Sequence, residues 1–449
     1  MHLGFLINIF KKNISKDALV WKDNVITYNS LLEKYYYWKE KIHSENINGG
    51  SVVIVIADFS PNSIALFLAL IDTNSIFVPV THSLEPNLDD IIKISQCEYI
   101  IRIDKKDEYS ISKLKSNTQH TLYKILRERQ HPGLVLFSSG STGERKASVH
   151  DLINILNKFK LKRHAYRTIS FLLYDHIGGV NTLLYTLSNA GLLVMVKSRT
   201  PDEVLKIVEK YQIELLPTSP TFINLILLSE VYDNYDISSL KLLTYGTETM
   251  PESTLKKFNK LFPDIKLLQT YGLSEVGILR SKSKSSSSLW VKVGGEDYKI
   301  RVVSGMLEIK AQSAMLGYLN APDPFTPDGW FKTGDAVEVD GEYIKILGRK
   351  SEIINVGGEK VYPQEVENVI CQLNNVSEVT VYGEENPIIG NIVCAKIRLL
   401  KVEDEKIFKK RLLSYCNNHL QPYKIPLKIT IAKDLQHNAR FKKIRNVST

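Results

Sequence analysis

SVVIVIADFSPNSIALFLALIDTNSIFVPV, residues 51–80, sets the fold class. Ser51–Ala57 is a continuous apolar run without polar alternation, the pattern of a strand covered on both faces. Pro61–Asp72 follows with Ile64, Ala65, Leu68 and Ile71 at helical spacing, and Ser75–Val80 is a second strand. Strand, helix and strand in this order form a βαβ rhythm, which implies a mostly parallel sheet.

The rhythm extends on both sides. Leu3–Phe10 is a short apolar helix that docks on the core, with no basic lead-in or cleavage site of a signal peptide. Downstream, Gly191–Val196, Glu214–Pro217 and Leu240–Tyr245 read as strands, with helices at Pro201–Tyr211 and Pro220–Leu228 between them. Ser281–Ser288 (SKSKSSSS) is polar and of low complexity, and reads as an exposed loop. Beyond it the pattern changes. Tyr298–Val303 and Met306–Lys310 are short alternating strands of an antiparallel module, and no internal repeat is visible. After Gly348 a smaller α+β unit begins, with helices at Pro363–Leu373 and Glu403–His419 and strands at Val376–Tyr382 and Ile392–Leu399. The fold class is therefore α/β: residues 1–348 form a large domain of α/β sheet layers with a small β module, and residues 349–449 a small α+β domain joined at Arg349–Ser351.

Composition narrows the function. The chain has 449 residues, 43 % of them hydrophobic and 24 % charged, enough for a buried core. No apolar run reaches the length of a membrane span. Cys97, Cys371, Cys394 and Cys416 lie far apart and form no CxxC pair, which argues against zinc or a disulfide framework and for a reduced, cytoplasmic setting. The net charge of +9 is concentrated: Lys401–Thr449 holds twelve Lys/Arg against four Asp/Glu. That end suits an anionic partner such as nucleotide phosphates, a phosphopantetheine arm, an acidic carrier protein, a lipid surface or RNA, or is a solvated lysine-rich surface. No aromatic-interleaved nucleic-acid signature accompanies it, and no nucleic-acid partner is expected.

Phe137–Lys146 reads FSSGSTGERK after the strand Leu134–Phe137. Ser138, Ser139, Gly140, Ser141, Thr142 and Gly143 are small residues that let backbone N–H groups converge on one anion, and Lys146 completes a triphosphate cradle. The spacing is not that of a GxxxxGK[ST] loop. The segment resembles the phosphate loop of the adenylate-forming superfamily, which contains acyl-CoA synthetases, peptide-synthetase adenylation domains and luciferases. The usual Pro-Lys-Gly ending stands here as Arg145-Lys146-Ala147.

Further motifs resemble the same superfamily in its order, closest in look to AMP-forming acyl-CoA synthetases, and cover essentially the whole chain. Tyr28 onward looks like the opening helix. Tyr245-Gly246-Thr247-Glu248 is similar to the adenine-contacting turn, with Gly246 also bordering the acid. Gln269–Glu275 (QTYGLSE) is similar to the motif in which Tyr271 and Gly272 lie along the adenine, Ser274 contacts a phosphate and Glu275 holds Mg2+. In Asp328–Asp335 (DGWFKTGD), Asp335 corresponds to the carboxylate that accepts both ribose hydroxyls. Gly348–Glu367 resembles the hinge and lid motif: Arg349 would reach the nucleotide, Ser351 occupies the hinge position, and Gly357 and Gly358 would line the path of a pantetheine arm. Leu435–Arg445 (LQHNARFKKIR) matches the lysine motif least: Lys442 is the counterpart of the adenylation lysine, with Lys443 as the alternative and Phe441 in place of Gly.

The resemblance implies an ATP- and Mg2+-dependent enzyme that activates a carboxylic acid as acyl-AMP and passes the acyl group to CoA. In Ser170–Gly191, His176 falls where acyl-CoA synthetases carry His, and its neighbour Asp175 falls one residue from the place of the amine-binding Asp of amino-acid adenylation domains. A fatty or other amine-free acid is favoured. Alternatives are the loading of an amino or other acid onto a carrier protein's phosphopantetheine, a non-catalytic nucleotide-binding relative, and a binder of nucleic acid or membrane surface through the basic end.

Overall fold

Val52–Ile56 lies in the middle of a seven-stranded sheet with all five residues buried. It pairs in parallel with Ile76–Val80 on one side and Tyr99–Ile103 on the other. The connecting helix Pro61–Asp72 starts at a reciprocal cap, in which Ser60 and Ser63 each accept the other's backbone N–H, with Pro61 in the first turn. A helix apolar on all sides has to be covered on all sides. This one shares a core with Val53 and Val55 of its own sheet and with Leu19 and Leu193 of a second one.

The computed structural model describes residues 2–116, 118–139, 145–295, 297–387 and 389–433. The second seven-stranded sheet runs in the order Lys266–Gln269, Leu242–Tyr245, Leu215–Thr218, Arg167–Ile169, Leu192–Val194, Asp17–Trp21 and Asn24–Thr27, parallel except for the last pair. The opening helix Tyr28–Ser44 is capped by Thr27, and Tyr28 donates its buried hydroxyl to Gly191 O at 2.7 Å, tying the chain's start to this sheet. Among the described residues no helix is long and apolar enough to cross a membrane.

A six-stranded antiparallel sheet follows, in the order Ser281–Ser283, Val291–Val293, Tyr343–Arg349, Phe331–Asp340, Met306–Ala311 and Tyr298–Val303. Here the structure corrects the serine-rich loop. Ser281–Ser283 is a strand, and the stretch covers an exposed sheet edge. Leu267 N donates to Ser286 Oγ, Gln269 N to Ser283 Oγ and Tyr271 N to Ser281 Oγ, at 3.2, 2.9 and 3.1 Å. The outward N–H groups of the last strand and the residues just after it, two residues apart, thus each meet a serine hydroxyl. An unpaired strand edge needs such partners.

The C-terminal part builds its own five-stranded sheet, from Glu359–Val361, Ile354–Val356, Gly390–Leu399 and Val376–Asn386, with Lys428–Ile431 alongside Gly390–Leu399. Helices Pro363–Ile370 and Glu405–His419 share its core through Val366, Ile370, Phe408 and Leu412. Two hydrogen bonds join it to the larger part: Gln364 Nε2 donates to Thr249 O, and Asn224 Nδ2 to Ser377 O, both at 3.2 Å.

Candidate active site

Residues 271–275 join two clusters. Tyr271 is buried and donates its hydroxyl to Asp335 Oδ2. Asp335 lies on the strand Phe331–Asp340 directly opposite Arg349, whose Nε is 3.3 Å from Asp335 Oδ1. Thr333 fixes the turn of this strand: its hydroxyl donates to Leu307 O at 2.7 Å and accepts Asp335 N at 3.0 Å. Burial, reinforced by the adjacent Asp335 carboxylate, holds the Tyr271 phenol well above its ordinary pKa, so the proton stays on the tyrosine.

Four residues on, Glu275 belongs to the second cluster. Its Oε1 accepts the Tyr318 hydroxyl at 2.7 Å, and Lys146 Nζ stands 5.5 Å over the Tyr318 ring. Tyr318 reaches this place because Gly317–Tyr318 pairs with Val149 and Ser148 of the strand Arg145–Asp151. That strand runs antiparallel to Gly133–Ser139, with Ser138 opposite Lys146 and Ser139 opposite Arg145. The turn between them, Gly140–Gly143 with Glu144, lies outside the described residues.

Two departures from the family's loop now have a physical account. Ala147 is fully buried within a strand, has no left-handed backbone and donates its N–H to Asn320 Oδ1 at 3.0 Å, so a methyl group fits. Arg145 donates to Asn87 Oδ1 at 3.0 Å, which fastens the first residue of the strand Arg145–Asp151. Ser351 stands in a one-turn helix, Lys350–Glu352, with an exposed side chain.

Leu242–Tyr245 leads into the turn of Gly246, Thr247 and Glu248. A Cβ on Gly246 would stand 2.6 Å from Thr270 Oγ1 and 2.9 Å from Thr270 O, so only glycine allows this turn to pack against the Tyr271 segment. Glu248 Oε1 accepts the Thr221 N–H at 2.8 Å and also the Thr221 hydroxyl, which fastens the turn to the helix Pro220–Ser229. Glu248, Thr249, Gln364 and Ser377 line an open cleft where the turn meets the C-terminal part.

His176 caps the helix Ile177–Ser188: its Nδ1 accepts Gly178 N at 3.0 Å, which places the ring proton of the neutral imidazole on Nε2. Asp175 points elsewhere. It is buried, and its Oδ2 accepts the Thr81 hydroxyl at 3.2 Å. Gly357 and Gly358 form the exposed tip of the hairpin between Ile354–Val356 and Glu359–Val361, at φ +57 and +90. They are not brought into either cluster. Ser274 lies between the clusters in sequence, and Lys442 and Lys443 lie outside the described residues.

Sequence reading missed Tyr318, Asn320, Thr333 and His150. Tyr318 carried a usable signal, the Gly317–Tyr318 pair between the Tyr271 and Asp335 motifs. His150 carried none. It is fully buried in the strand that follows the phosphate loop, near the backbone of Ser274 and Ser313, and burial pushes its pKa down to about 4, so it is neutral.

Residues 9–294 match the AMP-binding enzyme family, and residues 365–442 match the AMP-binding enzyme C-terminal domain. A long-chain-fatty-acid–CoA ligase of Bacillus subtilis is 27 % identical over 337 residues, 69 % of this chain but only 60 % of that protein. A 2-succinylbenzoate–CoA ligase of Bacillus pumilus is 24 % identical over 95 % of this chain and 93 % of its own length. The crystal structure of the anthranilate CoA ligase AuaEII with anthranoyl-AMP superposes with a TM-score of 0.82 at 18 % identity, covering 98 % of this chain and 95 % of that one. Fold, motif order and family match agree: this chain belongs to the AMP-binding enzyme family.

Proposed function

We propose that the chain is an AMP-forming acid–thiol ligase, which activates an amine-free carboxylic acid with MgATP and passes the acyl group to CoA. The observation that carries this reading is the two-ended cluster: Tyr271 bonds Asp335, and Glu275, four residues on, bonds Tyr318 beside Lys146. One segment thus carries a ribose- and base-type site and a phosphate-type site, as a nucleotide triphosphate requires.

Each group has a part. Asp335 accepts the ribose hydroxyls, Tyr271 and the Gly246–Glu248 turn flank the base, and Arg349 adds positive charge beside the ribose. Ser138 to Gly143, Lys146 and Ser274 hold the phosphates. The donor set also fits Mg2+. Among the described residues Glu275 Oε2 takes no hydrogen bond, and this carboxylate would hold the cation, a hard ion that prefers oxygen ligands. When bound, Mg2+ neutralises phosphate charge as pyrophosphate departs. A carboxylate oxygen of the acid attacks the α-phosphorus, pyrophosphate leaves, and the thiol sulfur then attacks the acyl carbon and expels AMP. Positioning and charge stabilisation do the catalytic work. Lys442 stabilises the charge on the α-phosphate and the carboxylate, carried in by residues 349–449 acting as a mobile lid on residues 1–348. Gly357 and Gly358 line the thiol's path when that lid turns.

The fate of Asp175 supports an amine-free acid, because its carboxylate is buried against Thr81 while His176 heads the pocket helix. A second reading, loading of a carrier protein's phosphopantetheine, is favoured by the basic C-terminal end, which complements an acidic carrier.

The test is MgATP-dependent pyrophosphate release with hydroxylamine trapping across fatty, aryl and amino acids, followed by addition of CoA. Release with an amine-free acid and a CoA thioester product support the reading. Release only with amino acids, or no thioester with CoA, moves it to carrier loading, and ATP binding without release moves it to a non-catalytic relative.

A further inference from the structure

Tyr271 leads into a tight hairpin that carries Glu275. Gly272–Leu273 runs antiparallel to Gly277–Ile278, with Gly272 opposite Ile278, and Ser274 and Glu275 stand in the turn between them. A Cβ on Gly272 would lie 2.6 Å from Gly277 O, so the two short strands close directly on each other. One side of the hairpin is held by the segment before Gly317: Met315 N donates to Glu275 O at 2.7 Å, and Ser313 Oγ to Val276 O at 2.6 Å.

Lys158 holds the other side. It lies in the turn Asn157–Lys160, and its Nζ donates to Ile278 O at 2.8 Å. The same Nζ donates to Asn181 Oδ1 at 2.6 Å, and Asn181 stands on the helix Ile177–Ser188 that His176 caps. Among the described residues Lys158 supplies the one hydrogen-bonded link between this helix and the hairpin.

Adhesion does not require that link. Ile278 packs on the same apolar core as Ile177, Val180 and Leu184 of the helix, so burial already holds the two elements together. Taking an ammonium out of water offsets most of what its bonds return. What the bonds add is direction. Apolar contact has no preferred register, whereas two short charge-assisted bonds fix where the helix stands along the hairpin. The Nζ also stands 5.0 Å over the ring of the buried Phe159, which pins the lysine itself.

That register bears on the chemistry. On the ligase reading the helix headed by His176 borders the acid, and the hairpin holds the phosphates through Ser274 and Glu275. Attack needs the carboxylate oxygen about 3–3.5 Å from the α-phosphorus, and a misplacement of about 1 Å can cost roughly 10²-fold.

We propose that Lys158 is a positioning residue: by bridging Asn181 and Ile278 it sets the spacing between the acid-binding helix and the phosphate-binding hairpin, and so the reach of the carboxylate to the α-phosphorus. This rests on the ligase reading above and adds a residue to its first half-reaction.

The experiment uses the full-length protein, Lys158→Met, Asn181→Ala and the double variant. The probe is whichever acid, of a fatty and aryl panel, the unmodified protein activates fastest. Pyrophosphate release gives kcat and KM, calorimetry gives ATP and acid binding separately, and thioester formation is followed from the pre-made acyl-AMP of that acid. Lys158→Met and Asn181→Ala should each lower kcat for pyrophosphate release about tenfold or more. KM, both binding constants and thioester formation should change less than about threefold, because acyl-AMP already joins the two sites. The double variant should be no slower than Lys158→Met, since the two residues act through one bridge. An unchanged kcat, losses spread over binding and both half-reactions, or single losses that multiply in the double variant would overturn the proposal. If Lys158→Met does not fold, Asn181→Ala alone decides by the same split. No pyrophosphate release by the unmodified protein with any acid sinks the ligase reading, and this role with it. Release that both variants share in full sinks this role alone.

Discussion

Asp335→Asn keeps the side chain's shape and removes its charge. In the structure Asp335 Oδ2 takes the Tyr271 hydroxyl, while Oδ1 lies 3.3 Å from Arg349 Nε. A hydrogen bond to a charged group is worth about 1.5–3 kcal/mol, against about 1 kcal/mol for a neutral one. The Arg349 side chain is 43 % exposed, so water screens its share of the loss to within about 1 kcal/mol. The main cost falls on the buried side and on the ribose. The expected loss in ATP binding is about 1.5–3 kcal/mol, or roughly 10- to 150-fold. Calorimetric titration with ATP measures it, and the decisive version repeats the titration with 2′-deoxy-ATP and 3′-deoxy-ATP. If Asp335 accepts the ribose hydroxyls, removing the hydroxyl and removing the charge are not independent. The analogues should then weaken binding to the unmodified protein but cost the variant much less, a coupling of about 1 kcal/mol or more. Unaltered ATP affinity, or penalties that simply add, would refute the ribose assignment. Tyr271→Phe is the companion variant, since it disturbs the carboxylate's support without touching its charge.

Three further outcomes are expected. Lys442→Ala should lower pyrophosphate release about 10²-fold or more while sparing thioester formation from pre-made acyl-AMP, and unchanged adenylation would transfer the role to Lys443. Burial holds His150 at about pKa 4 in the folded state against an ordinary value of 6.5. The unfolded chain therefore binds the extra proton between those values, and stability is lost as pH falls from 6.5 towards 4, by about 1.4 kcal/mol per pH unit and about 3 kcal/mol in all. Denaturant midpoints of His150→Gln at pH 7.5 and pH 5 should differ less than those of the unmodified protein, and equal differences would contradict this. Ser281→Ala, Ser283→Ala and Ser286→Ala should each remove about 0.5–1.5 kcal/mol and speed amide exchange at Tyr271, Gln269 and Leu267 respectively, and unchanged exchange would show that solvent already serves those groups.

The sequence disclosed what depends on periodicity and on local chemistry. The run at residues 52–56 had to be a covered strand, and the helix Pro201–Tyr211 announced its start through the proline of its first turn. The motif residues Tyr271, Asp335 and Arg349 were each legible alone, yet that they form one cluster depends on a strand register, Asp335 opposite Arg349, that no local pattern encodes. Tyr318 was hidden for the same reason: it reaches Glu275 only because Gly317–Tyr318 pairs with a strand some 170 residues earlier in the chain. The serine-rich stretch misled because composition reports solvation and not partnership. Its alternate hydroxyls face an open sheet edge, while Lys282, Lys284 and Ser285 face solvent. Asp175 and His176 could not be told apart by position alone, because adjacent residues differ only in which way the backbone turns them. The cap on Gly178 and the bond from Thr81 distinguish them.

The position of Arg349 connects nucleotide binding to lid movement on the reading proposed above. It is the last residue of the strand Tyr343–Arg349, the short turn Lys350–Glu352 follows, and the C-terminal sheet begins at Ile354. A rotation that starts at Lys350 therefore begins one residue from the partner of Asp335. The ion pair between them suits such a pivot because it is weak. One nitrogen at 3.3 Å from a half-exposed arginine is worth about 0–1 kcal/mol, enough to bias the lid and too little to lock it. The Tyr271–Asp335 bond lies deeper and stays with the large sheet, so the ribose site can persist if the Arg349 side chain gives way as the lid turns. A buried bidentate pair at the same place would hold adenosine equally well, but it would have to be broken in every cycle at a cost of several kcal/mol.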